Sequence, residues 1–516
     1  MVLVVGSNTT EAHPVSALHV KRAVARGAKL VVADPRQIPL CRDAVLHLPQ
    51  RPGTNVALGN GLLHLLIREG LLNDAFIRRH TEGFAAAREV VAAYPPERTA
   101  ELTGIPVPAL QEAARLWGRA RRAVLVTGLG VDEHAQGTAG MRALVNLVLA
   151  TGQVGRTGTG VLTLRGQNNV QGACDMGCLP DVLPGYQPVA DPAVRQRFAQ
   201  VWGVEPPEWR GLTSPGMWEA ARSGRLKGMI IWGEDPLRTH AGVPRVREAL
   251  EALEFLAVSE LFLTETAKLA QVVFPAASFA EKAGSYTNTE RRVRLLRRAI
   301  PAVGEAKSDL ELFAQLAGRL GRGFASDPAR LFGEMADLVP SHRGMSHARL
   351  GEGGLSWPCP APEHPGTARL YVGGFGERLG RFAAVDQEEA VLPEGYPLVL
   401  ITGRRLEAFN NAAQTGRAAL LGSPEDERLA VHPADVRRLG LEPGEDVAVV
   451  SPWGRLRAPW RAAPDLLPGT VFLTFHDPAV PVNELVGDEM RDPVTETYSY
   501  KWVPVRVERA GEEWGR

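Results

Sequence analysis

"VLVVGSNTTEAHPVSALHVKRAVARGAKLVVADPR", residues 2–36, runs from a short apolar stretch through a glycine loop and a helical pattern into a second apolar stretch. Short Val- and Leu-rich runs that alternate with helical segments predict parallel strands in an α/β domain. The unit recurs in "RAVLVTGLGVDEHAQGTAGMRALVNLVLATG", 122–152, and in "LKGMIIWGEDPLRTHAGVPRVREALEAL", 226–253, which leads into "EFLAVSE" and "QVVFPAASF". Ligands of such sheets bind at the carboxyl ends of the strands, where these loops fall. Two helices are signposted outside the units. "GTNVALGNGLLHLLIREG", 53–70, starts at a Gly-Thr-Asn cap and stops at a glycine, and "KSDLELFAQLAGRLG" carries Ser308 and Glu311 at capping-box spacing.

The pattern changes after about residue 365. "YPLVLITG", "GEDVAVVSPWGRLRAPWRA" and "GTVFLTFH" read as strands, and "HPADVRRLG" alone reads as helix. This predicts a β-rich C-terminal domain, a barrel, reached through the proline-rich connector "WPCPAPEHPG", 357–366.

The chain has 516 residues, with 58 Lys plus Arg against 58 Asp plus Glu. Zero net charge disfavours a protein that grips nucleic acid by its phosphates, although a local basic pocket for a small anion stays open. Four cysteines, at 41, 174, 178 and 359, are too few and too scattered for a disulfide framework and favour a reducing, cytoplasmic setting. No apolar run has the length of a membrane span. Met1 is followed at once by a buried-strand pattern, as in a chain whose upstream part is absent.

Several loops carry polar groups with two readings each. "GLGVDE" has the dinucleotide spacing at Gly128 and Gly130 but Glu133 where a third glycine would fall, so an ordinary tight turn is an equal alternative. Asp34, at the end of a strand, can accept from a ribose hydroxyl or the N–H groups of a guanine, or simply start an Asp-Pro turn. "GEDPLRT" suits either a ligand or a helix start. The arginines of "SYTNTERRVR" suit pyrophosphate or a solvated strand. "CDMGC" lacks the further ligands of a zinc site or an iron–sulfur cluster, and no metal site is assigned to it.

"LRGQNNVQGACDMG", 164–177, gathers an Arg, two Gln, two Asn, an Asp and a Cys with almost nothing to bury. With "GSNTTEAHP", "ADPR", "GLGVDEHAQG", "PGYQPV", "GEDPLRT", "FPAASFAEKAGSYTNTERRV", "SWPCP" and "DPVTETYSYKWVPVRVE", it resembles the catalytic subunit of formate dehydrogenases in the molybdopterin oxidoreductase family. The resemblance runs from Met1 to about Glu508. It implies two Rossmann-like α/β domains, one incomplete, plus a C-terminal β-barrel: 1–166, 167–370 and 390–516. It implies bis-molybdopterin guanine dinucleotide with molybdenum or tungsten, in the cleft between the first two domains and under the third.

By the same resemblance Arg165 is the catalytic arginine facing formate, and Gln167, Asn168, Asn169 and Gln171 offer amides to the pterins. Gly6, Asn8, Glu11 and His13 match a loop near one dinucleotide, Asp34 and Arg36 its guanosine end, and Gly53 and Asn55 a phosphate-proximal turn. Gly128, Gly130, Glu133 and His134 match a pterin-side loop. Gly233, Asp235, Thr239, Thr287, Asn288 and Glu290 match the second dinucleotide. Arg404, Asn483, Tyr500 and Lys501 match the cap over both, where Ala408 replaces a His common in the family.

The family's CxxCxxxC-type cluster motif and its metal-ligating Cys or selenocysteine followed by His do not occur in the sequence. The expected partners are therefore formate and an N-terminal iron–sulfur polypeptide or electron-transfer subunit. Three readings follow: the larger part of a formate dehydrogenase completed by that partner, a non-catalytic module that holds or carries the dinucleotide, and a degenerate remnant.

Overall fold

The computed structural model describes residues 1–351, 353–418 and 427–510. The chain divides into two units, one of residues 1–164, 238–242 and 369–516, the other of 165–237 and 243–368. The segment expected as a C-terminal domain over 390–516 includes positions outside the described residues.

In the first unit the two opening α/β repeats share one parallel sheet. Its strand order is Leu46–Leu48, Leu30–Ala33, Val2–Val5, Val124–Thr127, Gly160–Thr163. Val4 lies opposite both Val32 and Val126. Each strand has a residue for both faces, as its unbroken apolar run requires. Leu3, Val5, Val31 and Ala33 pack with Leu58, Leu62, Leu65 and Leu66 of the helix Asn55–Arg68. Val2, Val4, Leu30 and Val32 face the other way, against Val20 and Val24 of Pro14–Ala25.

The same unit holds a closed six-stranded barrel in the order Leu398–Gly403, Thr470–Thr474, Leu429–Val431, Arg455–Ala462, Asp446–Val450, Val503–Arg509. Its pairings alternate strictly in side: Leu398, Leu400, Val447, Val449, Val471, Leu473, Val503, Val505 and Val507 share one core. Val399, Ile401, Ala430 and Phe472 share another on the opposite face. Two of these strands, Leu429–Val431 and Val503–Arg509, are not marked by the sequence as strands.

The second unit has a three-stranded parallel sheet ordered Val272–Pro275, Phe255–Glu260, Gly228–Trp232 and an antiparallel one ordered Gly284–Thr287, Arg292–Leu296, Leu355–Ser356. The helix Asp309–Arg319 begins with the expected capping box, Ser308 with Glu311.

The proline-rich stretch 357–366 is not a loose connector. Cys359 is fully buried, its N–H donates to the Ser341 carbonyl and its own carbonyl accepts from Gly344. Leu355–Ser356 just before it is a strand, so the prolines here shape a packed turn of the second unit, and the passage to the first falls at Ala368. No helix of the described residues is long and apolar enough to cross a membrane.

Candidate functional site

Three adjacent strands of the first sheet end in Gly6, Asp34 and Gly128, which places their loops side by side at the carboxyl edge. The Gly6 N–H donates to the Ala33 carbonyl at 2.9 Å, and the Gly6 carbonyl accepts from Gly130 N–H at 3.0 Å. Gly6 has φ +57°, and a Cβ there would stand 2.6 Å from the Gly130 carbonyl carbon. A Cβ on Gly130 would stand 2.7 Å from the Gly6 oxygen. The glycines of "GSN" and "GLG" thus serve the contact of two loops backbone on backbone. Their N–H groups at 6 and 130 are spent inside the protein.

These loops, with the ends of two barrel strands, line a cleft of about 110 Å³ that is partly open to solvent. Eleven of the residues singled out in the sequence line it: Gly6, Asn8, His13, Asp34, Arg36, Gly53, Gly128, Gly130, His134, Arg404 and Lys501. The sequence reading missed Gln50, Ile401, Thr402 and Phe475, which also line it. The barrel's contribution had a signal, since "LITG" and "TFH" are strand ends.

The polar groups of the cleft are set individually. Asp34 is buried; its Oδ1 accepts from the Arg36 backbone N–H at 2.9 Å, and its carbonyl pairs with His47 Nε2. Burial pushes the Asp34 carboxyl up, opposed by the Arg36 guanidinium. His134 is buried with Nε2 3.1 Å from the Gly130 carbonyl, and burial pushes its ring down to about 4, so it is neutral at pH 7. The Arg36 guanidinium lies 3.9 Å over the Phe472 ring. Lys501 Nζ pairs with Glu133 at 2.7 Å and donates to Thr402 Oγ1 at 3.0 Å. Arg404 donates to Asn410 Oδ1 at 2.9 Å, and burial lowers its pKa.

Two buried acceptors in this wall have no hydrogen-bond partner. Asn8 gives its Nδ2 to Glu11 at 2.8 Å and Gln50 gives its Nε2 to Asn55 at 2.7 Å, which leaves Asn8 Oδ1 and Gln50 Oε1 unmatched. Unmatched buried acceptors cost about 1–3 kcal/mol each, so they fit a ligand that brings N–H or O–H donors. A ligand that carries phosphates besides such donors would also suit Arg36, Arg404 and Lys501.

The other first-unit residues stand behind this wall or hold the barrel. Asn55 Nδ2 donates to the Gly130 carbonyl at 3.1 Å. Glu11 lines an adjoining recess with Arg36, Arg404 and Arg405, and burial raises its pKa. Asn483 Nδ2 donates to the Arg238 carbonyl at 2.8 Å, and the Tyr500 hydroxyl donates to the Thr239 carbonyl at 3.1 Å. Asn483 thus meets Arg238 and Tyr500 meets Thr239, and none of the three lines this cleft.

In the second unit Arg165, Gln167 and Asn168 are exposed at the start of a loop that becomes the helix Val170–Asp175. Asn169 Oδ1 accepts from the Thr287 N–H at 2.9 Å, which joins this loop to the strand Gly284–Thr287. Gly172 makes room for that, because a Cβ there would sit 2.2 Å from Asn169 Oδ1. Gln171 Nε2 donates to Asp175 Oδ1 at 2.8 Å and to the Tyr186 hydroxyl at 2.9 Å. Asn288 Oδ1 accepts from the N–H groups of Glu290 and Arg292 and shapes the hairpin turn. Asp235 is buried after Gly233 and accepts from both the N–H and the hydroxyl of Thr266.

Residues 1–319 match the family model described as Molybdopterin oxidoreductase, and residues 398–504 match the Molydopterin dinucleotide binding domain. The F420-dependent formate dehydrogenase 2 subunit alpha of Methanococcus maripaludis is 41% identical over 519 residues, 99% of this chain and 76% of the relative. The F420-dependent formate dehydrogenase subunit alpha of Methanocaldococcus jannaschii is 39% identical over 98% of this chain and 76% of its own length. Formate dehydrogenase H of Escherichia coli is 35% identical over 100% and 74%. Among solved structures, acetylene hydratase from Pelobacter acetylenicus has a TM-score of 0.78 at 20% identity, covering 99% of this chain and 78% of that one. At that identity the likeness bears on the fold alone.

Proposed function

Because the chain belongs to the molybdopterin oxidoreductase family, we propose that it binds bis-molybdopterin guanine dinucleotide and serves the oxidation of formate to carbon dioxide. The observation that carries the substrate is the similarity to formate dehydrogenase alpha subunits along nearly the whole chain. The first-unit cleft supports the cofactor. Asp34 can take the N–H groups of a guanine, Arg36, Arg404 and Lys501 can take phosphates, and Asn8 Oδ1 and Gln50 Oε1 can take donors of the heterocycle or the ribose.

When bound, the metal of the cofactor, molybdenum or tungsten, supplies the acceptor for two electrons. The chain's part is to bind and orient. The Arg165 guanidinium forks onto both oxygens of formate, neutralises its charge and leaves the C–H as the bond turned away from the arginine. Loss of that hydrogen as a proton and two electrons converts HCOO⁻ to CO₂. The guanidinium then faces a neutral product and loses its charge-assisted bonds to it, which favours release. Electrons leave through an iron–sulfur centre, which the four cysteines at 41, 174, 178 and 359 do not supply. The scattered cysteines support a cytoplasmic location.

The test uses the protein purified with its electron-transfer partner. Metal and guanine nucleotide are assayed after acid release, and formate-dependent dye reduction is measured for the native protein and for Arg165→Ala. Two guanine nucleotides per metal, with turnover lowered at least about 100-fold in the variant at unchanged metal content, is the expected result. Absence of nucleotide, or unaltered turnover in Arg165→Ala, overturns the reading.

A further inference from the structure

Asp175 is the one acid of the Arg165 segment, and it is 1% accessible. Two donors converge on it. Gln171 Nε2 reaches Oδ1 at 2.8 Å and Trp357 Nε1 reaches Oδ2 at 2.8 Å, and the Tyr186 hydroxyl, bonded to the same Gln171 nitrogen at 2.9 Å, lies beside them. The Arg165 guanidinium is close enough to act on it electrostatically. The backbone joins in, with the Gly185 N–H on the Asp175 carbonyl at 2.7 Å.

These bonds admit a single assignment of hydrogens. An ionised carboxylate only accepts. Gln171 Nε2 must therefore give one hydrogen to Asp175, and the Tyr186 hydroxyl oxygen accepts its other hydrogen, 2.9 Å away. Both hydrogens of the Gln171 amide are then committed, and its Oε1 is the polar atom that remains to be presented. An Asn side chain at 175 would remove the restriction, because its amide can donate to Gln171 Oε1 and let the glutamine turn over. Trp357 extends the frame to the cofactor-side hairpin: its N–H donates to the Arg291 carbonyl at 3.1 Å, and the Arg291 guanidinium lies 5.4 Å over its indole. If the assembly only had to be joined, an apolar contact would do it without burying a charge.

We infer that Asp175 is a positioning residue of formate oxidation: it locks the Gln171 amide so that an acceptor, Oε1, is offered on the substrate side of the Arg165 segment. This rests on the reading of that segment as substrate-facing. The acceptor can meet an N–H of Arg165 or of a pterin, and in either case it fixes a donor that a turned amide would repel.

The experiment compares Asp175→Asn, Trp357→Phe, Tyr186→Phe and Arg165→Ala in the holoenzyme, with kcat/KM for formate expressed per metal-loaded molecule. Asp175→Asn is expected to lower kcat/KM about 30-fold at unchanged metal and nucleotide content. Trp357→Phe and Tyr186→Phe, which each leave the carboxylate in place, are expected to lower it about threefold. A purely structural Asp175 would lower the melting temperature and the loaded fraction but leave kcat/KM per loaded molecule unchanged, and that result overturns the inference. If Asp175→Asn yields no soluble protein, the two aromatic variants decide by the same criterion. Unaltered turnover in Arg165→Ala would instead remove the reading of the segment, whereas loss in Arg165→Ala with native kcat/KM in the other three removes only the role of Asp175.

Discussion

In the first unit, the Gly6 and Gly130 loops touch through carbonyl and N–H, with no side chain between them, and the ligand-facing groups stand on this rigid base. In the second unit, the segment after Leu164 has the reverse construction. There Gln171, Asp175, Tyr186 and Trp357 hold one another by side-chain bonds, and the Asn169 side chain takes the Thr287 N–H. A wall made from backbone cannot be adjusted by small changes, because any added carbon collides. A wall made from interlocked side chains loses its members one bond at a time. The first suits a large, constant ligand held in place. On the proposed function, the second faces a small substrate whose orientation decides the reaction.

The contrast is open to attack at both ends. Gly6→Ala should be the most damaging change, because it adds left-handed backbone strain to a 2.6 Å collision with Gly130. A loss of about 4 kcal/mol in urea unfolding is expected, with loss of bound nucleotide. A near-native variant would show that the loops are not locked by their backbones.

Acid should come next. Burial holds the His134 ring down at about 4 in the folded protein, against an ordinary value of 6.5. Between those values the unfolded chain binds a proton that the folded chain refuses. Stability is thus fully present above pH 6.5 and falls as pH drops toward 4, by up to about 3 kcal/mol for this group. His134→Gln should flatten that part of the stability profile, and an unchanged profile would sink the assignment.

The smallest effect is expected in the second unit. Asn169→Ala removes the acceptor of the Thr287 N–H at 2.9 Å and should cost about 1 kcal/mol in the same unfolding assay. A loss as large as that of Gly6→Ala would erase the distinction between the two constructions.

Much of the fold was readable because it is local. Apolar runs such as "VLVV" and "KLVVADPR" announce strands, and Ser308 with Glu311 announces a helix start, within a few residues. Leu429–Val431 escaped because three residues are too few to show alternation, and they find their partners at 460–462 and 471–472. The candidate site was readable where a strand ends in a loop, as at Gly6, Asp34 and Gly128. It was not readable where the decisive partner is remote. Trp357 lies 182 residues from Asp175, and Gln387, whose Oε1 accepts from the Ala57 N–H, lies 330 residues from it. No local pattern records such pairs. The proline-rich stretch misled for a related reason: proline marks a departure from regular structure, not from the packed interior.

The five residues Arg238–Gly242 belong to the first unit although the chain on either side belongs to the second. Ala241 is part of the barrel core, Gly242 N–H bonds the Val486 carbonyl, and the carbonyls of Arg238 and Thr239 receive Asn483 and Tyr500. Neither unit can therefore be cut out as one continuous gene fragment. A split version of this polypeptide broken inside 243–368 would leave the barrel dependent on a pentapeptide supplied in trans, and reassembly of the halves, not folding of either, would govern its recovery.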